Sequence, residues 1–210
     1  MGSDRPPVTA DRVFYSAAAS FAELVAKIPA GAWDGPGLGE WDLRALVGHT
    51  SRSLTTVSAY LGTTARREDL RDPQEYYVFA RQFATQAGGA AVLERGRQAG
   101  RDLGPDPVAA VEALAAQVRR DLDGADDRLI EVIGGQGIRL SNYLPTRTFE
   151  LAVHGLDIAR AVGLDHALPR DVLAAAVRLA ADTAVTLGDG ETLLMALTGR
   201  APLPASFSVV

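Results

Sequence analysis

Residues 42–62 read DLRALVGHTSRSLTTVSAYLG and carry the pattern of one amphipathic helix. Asp42 is a typical N-cap, and Gly62 is a typical residue at which a helix ends. The apolar residues between them recur at three- and four-residue spacing, namely Leu43, Leu46, Val47, Leu54, Val57 and Leu61. This spacing predicts a helix that buries one face, so the fold depends on the elements that cover that face.

The rest of the chain is divided into further helices by caps, prolines and glycines. The predicted spans are about 9–28, 74–99, 107–122, 142–161, 169–187 and 189–198, and Gly88-Gly89 predicts a break in the second of these. Residues 129–140 are compatible with a small β-hairpin or with an irregular loop. The sequence therefore predicts an all-α bundle over 1–165 with a helical insertion at about 62–104, followed by a short C-terminal helical extension over 166–210.

Composition excludes several classes of protein. Among the 210 residues 47% are hydrophobic, which argues against disorder, and no apolar run approaches the ~20 residues of a membrane-spanning helix. The net charge of −5 gives no reason to expect a nucleic-acid partner. The N-terminus does not resemble a signal peptide, so we expect a cytoplasmic protein without membrane association. Cysteine is absent, which excludes thiolate ligands and a thiol nucleophile of the chain's own.

Three residues on two predicted helices form a candidate metal site. His49 lies beside the apolar stripe of the 42–62 helix, and Glu150 and His154 lie four residues apart on another helix. A Glu–His pair at this spacing is also an ordinary structural pair on a helix. As a ligand set, however, two imidazoles and one carboxylate are typical of an open zinc site. Arg147 and Asp157 lie on roughly the same helix face as this pair.

Two stretches resemble the signatures of the mycothiol-dependent maleylpyruvate isomerase family. Residues 41–49, WDLRALVGH, resemble its Trp-x-Val-Arg-x-Leu-x-x-His motif. Residues 150–163, ELAVHGLDIARAVG, resemble its Glu-x-x-x-His-Gly-x-Asp-Leu-Ala-x-Ala-x-Gly motif. The segment Leu197 to Pro204 is similar to the C-terminal part of many relatives. Full-length family members have a longer C-terminal domain, whereas this sequence ends at Val210, so the metal site is predicted more firmly than maleylpyruvate as the substrate.

The resemblance implies a DinB-like four-helix bundle in which His49, Glu150 and His154 bind a divalent metal, usually zinc. It also implies mycothiol, the low-molecular-weight thiol of actinobacteria, as cosubstrate. The arginine-rich composition, with Lys27 as the one lysine, fits a GC-rich actinobacterial genome. Beyond the metal ligands, Arg147 and Asp157 are the candidate catalytic residues. Their positions are compatible with Asp157 either orienting a ligand imidazole or having a helix-surface or capping role, and with Arg147 either holding a substrate carboxylate or being a structural charge. The residues that bind the thiol are not predicted.

Several functions fit this site. The first is an S-transferase or a cis–trans isomerase that acts on a small electrophile with a thiol cosubstrate, as a monomer or a homodimer. The alternatives are a non-catalytic metal-binding protein of the DinB-like kind, acting in stress response or ligand binding, and a hydrolase that uses metal-activated water.

Overall fold

The computed structural model of the protein describes residues 9–210, so the first eight residues of the predicted 1–165 bundle lie outside the described part. The described residues form eight α-helices and one two-stranded sheet, in the order α1 Ala10–Ala26, α2 Leu43–Leu61, α3 Pro73–Ala87, α4 Gly89–Asp102, α5 Pro107–Leu122, β1 Leu129–Val132, β2 Gln136–Arg139, α6 Leu140–Val162, α7 Arg170–Thr186 and α8 Gly190–Leu197.

Four helices close a ring around the main core. Helix α1 packs on α6, α6 on α2, α2 on α5, and α5 on α1. Large side chains at the centre of the ring have at most 2% of their surface exposed, among them Phe14, Phe21, Leu46, Leu54, Leu151 and Ile158. Burial of such side chains is the main favourable term in folding. The all-α class and the four-helix bundle predicted from the sequence are confirmed.

The region predicted as a helical insertion forms two helices. Gly88 separates α3 from α4 and has a φ of +79°, a left-handed conformation that glycine adopts without strain, which confirms the predicted break. Helix α4 lies outside the ring along α2, and α3 packs on α6 and α7. The insertion therefore contacts both helices that carry the candidate ligands.

Residues 129–139 form the small hairpin rather than an irregular loop. Strands β1 and β2 pair antiparallel, with Ile130 opposite Ile138, and both of these side chains are fully buried. Leu70 forms an isolated bridge with Ile138, so the hairpin packs on the segment before α3. This packing supplies the support that an isolated hairpin lacks.

The C-terminal helices lie against the outside of the ring. Helix α7 packs on α6, α3 and α1, and α8 packs on α7. The boundary between a bundle and an extension at residue 165 stays a prediction. Over residues 9–210, none of the helices combines the length and the apolarity that a bilayer crossing requires.

Candidate metal centre

The structure brings together the three side chains predicted as metal ligands. One ligand atom from each of His49, Glu150 and His154 lies within 4.8 Å of the other two. His154 Nε2 is 3.3 Å from Glu150 Oε2, and the His49 and His154 rings are 5.0 Å apart between centroids. Ligand atoms of a tetrahedral zinc ion are about 3.4 Å apart, so small side-chain movements would bring all three onto one ion.

His49 presents a neutral imidazole with an unused nitrogen. Its Nδ1 is buried and has no hydrogen-bond partner among the described residues. Burial, reinforced by the nearby His154, lowers the pKa of His49 to about 4, so the ring carries no charge at neutral pH. A buried nitrogen without a partner is costly, and metal coordination is one way to satisfy it. The donor set and this nitrogen fit a divalent cation.

Glu150 is held as a carboxylate. Burial alone would raise its pKa, but the hydrogen bond with His154 and the positive charge of Arg147 outweigh burial and lower the pKa to about 2. Its Oε1 accepts a hydrogen bond from the Tyr77 hydroxyl at 2.9 Å, while Oε2 faces His154. The carboxylate is therefore ionised at any physiological pH.

His154 lies between two carboxylates. Its Nδ1 is 3.2 Å from Asp157 Oδ2, and its Nε2 faces Glu150. Burial disfavours the charged ring, but the hydrogen bonds to Asp157 and Glu150 prevail and raise the pKa of His154 to about 9. With this pKa the ring carries a proton at neutral pH, and a cation bound at the same place would replace that proton.

Local sequence explains how α2 presents His49. Asp42 caps the helix by accepting a hydrogen bond from the Ala45 backbone N–H at 2.7 Å. Trp41 precedes the cap, and its ring lies 4.5 Å from the His49 ring between centroids. The Trp41 indole N–H donates to the Leu93 carbonyl of α4 at 2.9 Å. Trp41 thus packs against the His49 ring and connects it to α4 of the insertion through the hydrogen bond to Leu93.

The candidate site opens into a cavity of about 380 Å³. Four arginines line it, namely Arg52, Arg81, Arg95 and Arg147, whereas Glu150 is the one acidic residue among the described lining residues. Apolar residues also line the cavity, among them Phe83, Ile133 and Val210. The chain as a whole carries a net charge of −5, so the positive character belongs to the cavity and favours an anionic ligand.

Arg147 lies inside this cavity between two aromatic rings. Its guanidinium carbon is 5.0 Å from the centroids of both Tyr76 and Tyr143. Its Nε donates to Thr146 Oγ1 at 3.1 Å, and within residues 9–210 no carboxylate oxygen lies within 4.0 Å of it. The guanidinium keeps donors for a ligand, while the rings fix its position.

The sequence did not place the tyrosines of α3 at the site. Tyr76 and Tyr77 follow the Asp72 cap and Pro73, a recognisable helix start, but the sequence contains no signal for which helix α3 packs against. In the structure, Tyr76 contacts Arg147 and Tyr77 contacts Glu150. The same holds for Tyr143, whose buried ring forms the other side of the Arg147 contact.

Comparison with known proteins gives one family match. The family described as the mycothiol maleylpyruvate isomerase N-terminal domain matches residues 14–159, more than two thirds of the chain. The match includes α2, the insertion and most of α6, and so includes every residue of the three-ligand cluster. No curated protein and no solved structure gives a significant match to this chain.

Proposed function

The chain belongs to the mycothiol maleylpyruvate isomerase N-terminal domain family, and on that premise we propose that it is a metal-dependent enzyme that uses mycothiol as cosubstrate. Its second substrate is a small electrophile, and the reaction is an S-transfer or a cis–trans isomerisation in the cytoplasm. The observation that carries the proposal is the His49–Glu150–His154 cluster in the lining of a cavity that four arginines also line.

The three clustered residues would hold the metal. His49 and His154 offer ring nitrogens and Glu150 a carboxylate oxygen, which is a donor set suited to zinc. When bound, a divalent zinc ion lowers the pKa of a coordinated thiol, so that the thiolate nucleophile is available at neutral pH. The chain has no cysteine, so the reacting sulfur has to come from a separate molecule.

Asp157 acts on His154 in this proposal. Its carboxylate accepts a hydrogen bond from His154 Nδ1–H, which fixes the ring orientation and leaves Nε2 directed at the cluster. An acceptor of this kind also makes the ligand nitrogen more basic. Asp157 is therefore a positioning residue rather than a group that touches the substrate.

Arg147 binds the electrophile in this proposal. Its guanidinium offers paired N–H donors to a carboxylate or a similar anion, and the Tyr76 and Tyr143 rings keep it in place. An electrophile bound here lies in the same cavity as the three ligands. Arg147 thereby orients the reacting carbon toward the thiolate.

The two reactions differ only in the fate of one carbon–sulfur bond. In both, the thiolate adds to an activated double bond of the electrophile, and the electron pair of that double bond moves to the activating carbonyl group. In the isomerisation, rotation about the new single bond is followed by loss of the thiolate, which restores the double bond. In S-transfer by addition, the carbanion takes up a proton and the thioether is released. S-transfer can also proceed by displacement, in which the thiolate forms a carbon–sulfur bond to a saturated carbon while a leaving group such as bromide departs with its bonding electrons.

Mass spectrometry separates these reactions from the alternatives. The zinc-loaded protein is incubated with mycothiol and maleylpyruvate, or with monobromobimane, a bimane bromide that a thiolate displaces to give a thioether. We expect enzyme-dependent trans isomer in the first mixture or bimane thioether in the second, and neither with His49→Ala. Turnover of an ester or amide without thiol would indicate the hydrolase instead. Metal uptake with no reaction on any of these substrates would indicate the non-catalytic metal-binding protein.

A further inference from the structure

Tyr77 of α3 reaches a candidate ligand from outside the four-helix ring. Its hydroxyl oxygen is 2.9 Å from Glu150 Oε1 and 3.0 Å from the backbone carbonyl oxygen of Thr146. The Tyr77 side chain is buried, with 4% of the residue exposed. Buried polar groups are normally satisfied by protein partners, and these two oxygens are the partners that the described residues offer the hydroxyl group.

A phenol hydroxyl has a single proton, so the two oxygens compete for it. The Thr146 carbonyl lies in α6, where the backbone N–H four residues later is its normal partner. The Glu150 oxygen carries negative charge, and a hydrogen bond to a charged acceptor is stronger than one to a neutral carbonyl. The proton is therefore directed to Oε1 of Glu150.

The position of the Tyr77 hydroxyl is fixed by packing. The Tyr77 ring lies 5.3 Å from the Phe149 ring between centroids, at an interplanar angle of 65°. Its other neighbour, Tyr76, is at 5.7 Å in an edge-on arrangement. The Asp72 cap, which accepts from the Glu75 backbone N–H at 2.8 Å, holds the first turn of the same helix. The hydroxyl group therefore has one location relative to α6.

We propose that Tyr77 is a positioning residue that holds Oε1 of Glu150 and thereby leaves Oε2 directed at His154 and free to bind the ion. The terminal torsion of a glutamate is broad, so a free carboxylate would lose rotational freedom when it binds an ion. A carboxylate already fixed by Tyr77 avoids that cost. The inference rests on the proposed metal site and adds that the insertion helix α3 tunes it.

The test compares two hydroxyl deletions on the same helix. Tyr77→Phe removes the donor and keeps the ring that packs on Phe149, whereas Tyr76→Phe removes a hydroxyl that makes no hydrogen bond to a described residue. Zinc affinity is measured by competition with a chromophoric chelator. We expect Tyr77→Phe to weaken zinc binding by about 10- to 100-fold and Tyr76→Phe to change it by less than about twofold. Equal affinity of Tyr77→Phe and the wild type would overturn the inference.

Two further readouts separate positioning from a general loss of structure. The d–d absorption bands of bound Co²⁺ should change in Tyr77→Phe and not in Tyr76→Phe, because they report ligand geometry. In a Glu150→Asp background the shorter carboxylate retreats from the hydroxyl, so Tyr77→Phe should cost no further affinity. If the full loss persisted there, Tyr77 would act through the fold and not through Glu150.

The wild type distinguishes failure of this inference from failure of the proposed metal site. Zinc binding by the wild type that His49→Ala abolishes, together with an unaffected Tyr77→Phe variant, overturns the role of Tyr77 alone. A wild type that takes up neither Zn²⁺ nor Co²⁺ overturns both. Far-UV circular dichroism of each metal-free variant, together with the rise in its unfolding temperature on zinc addition, verifies that a folded protein is being titrated.

Discussion

His49 and His154 meet edge to face, with ring centroids 5.0 Å apart and an interplanar angle of 83°. The two residues belong to α2 and α6, which pack against each other across the bundle. Their pKa values are displaced in opposite directions, to about 4 for His49 and to about 9 for His154. Burial and the nearby His154 explain the first pKa value, and hydrogen bonds to two adjacent carboxylates explain the second. At neutral pH these two pKa values pair a neutral imidazole with a charged one.

Replacement of His49 should remove metal binding. His49→Ala deletes one of three donors, and we expect zinc affinity to fall by at least about 100-fold. This loss exceeds the 10- to 100-fold that is typical when a residue hydrogen-bonded to a metal ligand is removed. Metal content after dialysis, measured by inductively coupled plasma mass spectrometry, provides the readout. His166→Ala is the matched control, because His166 lies in the loop before α7 and contacts Ser20 instead of the cluster. Retention of metal by His49→Ala would place the site elsewhere.

The stability of the metal-free protein should fall as the pH rises from about 6.5 to 9. The pKa of His154 is raised on folding, so its stabilising contribution is complete below the unfolded-state pKa and is lost as the pH passes the folded-state pKa of about 9. Glu150, with a pKa of about 2, stays ionised over this interval and does not change the free energy of unfolding with pH. The loss is at most about 3 kcal/mol, or about 5–10 °C in unfolding temperature.

His154→Gln supplies the control for this pH dependence. The variant lacks the titrating ring, so its unfolding temperature in the presence of a chelator should change less between pH 6.5 and 9 than that of the wild type. Differential scanning calorimetry at constant ionic strength measures both proteins. Parallel curves for the two proteins would show that the contacts of His154 with Asp157 and Glu150 do not stabilise the folded state.

Local signals in the sequence predicted the bundle helices and the ligand cluster. Capping residues and apolar stripes predicted α1, α2, α5 and α6, and the four-residue spacing of Glu150 and His154 placed both on one face of α6. The Asp157–His154 contact also follows from spacing along a single helix. His49 joined them as a hypothesis from the donor types of the three residues and from the family resemblance, because spacing within one helix says nothing about its distance from another.

Contacts between distant elements could not be predicted. The Tyr76 and Tyr77 contacts depend on how α3 packs on α6, which is fixed by the turn at Gly88 and by aromatic packing against Tyr143 and Phe149. The hairpin stayed ambiguous because its stability comes from packing against residues near Leu70. In both cases the deciding interaction joins residues that are far apart in the chain.

Close packing of α2 on α4 should make Gly48 intolerant of a side chain. A Cβ at Gly48 would overlap the backbone of Gly100, and a Cβ at Gly100 would lie 2.8 Å from the Arg44 carbonyl oxygen. Backbone cannot move aside as a flexible side chain can, so we expect Gly48→Ala to destabilise the protein by about 2 kcal/mol or more. Urea unfolding measures this change, and zinc affinity should fall as well because His49 is the next residue.

Gly89→Ala is the matched control for this substitution. Gly89 begins α4, and nothing lies within 4 Å of a Cβ built there. Alanine is the better helix former, so the variant should be as stable as the wild type or more stable by up to about 1 kcal/mol. If Gly48→Ala and Gly89→Ala had the same stability, the two helices would be packed less closely than the structure shows.

Arg147 should make the protein bind small carboxylates. In the metal-free protein, maleate should raise the unfolding temperature of the wild type and should raise that of Arg147→Gln much less. The apparent affinity of the variant for maleate should be lower by about 10- to 100-fold, because hydrogen bonds to charged groups contribute roughly 1.5–3 kcal/mol.

Arg119→Gln is the control for the loss of Arg147. Arg119 also lies over a tyrosine ring, Tyr15 at 5.1 Å, but it lies outside the cavity. Sodium chloride at matched ionic strength corrects for general screening. Arg147→Lys should restore only part of the effect, because an ammonium group lacks the paired donors of a guanidinium. Equal stabilisation of Arg147→Gln and the wild type by maleate would show that the anion binds elsewhere and would leave the arginine between Tyr76 and Tyr143 with a structural role.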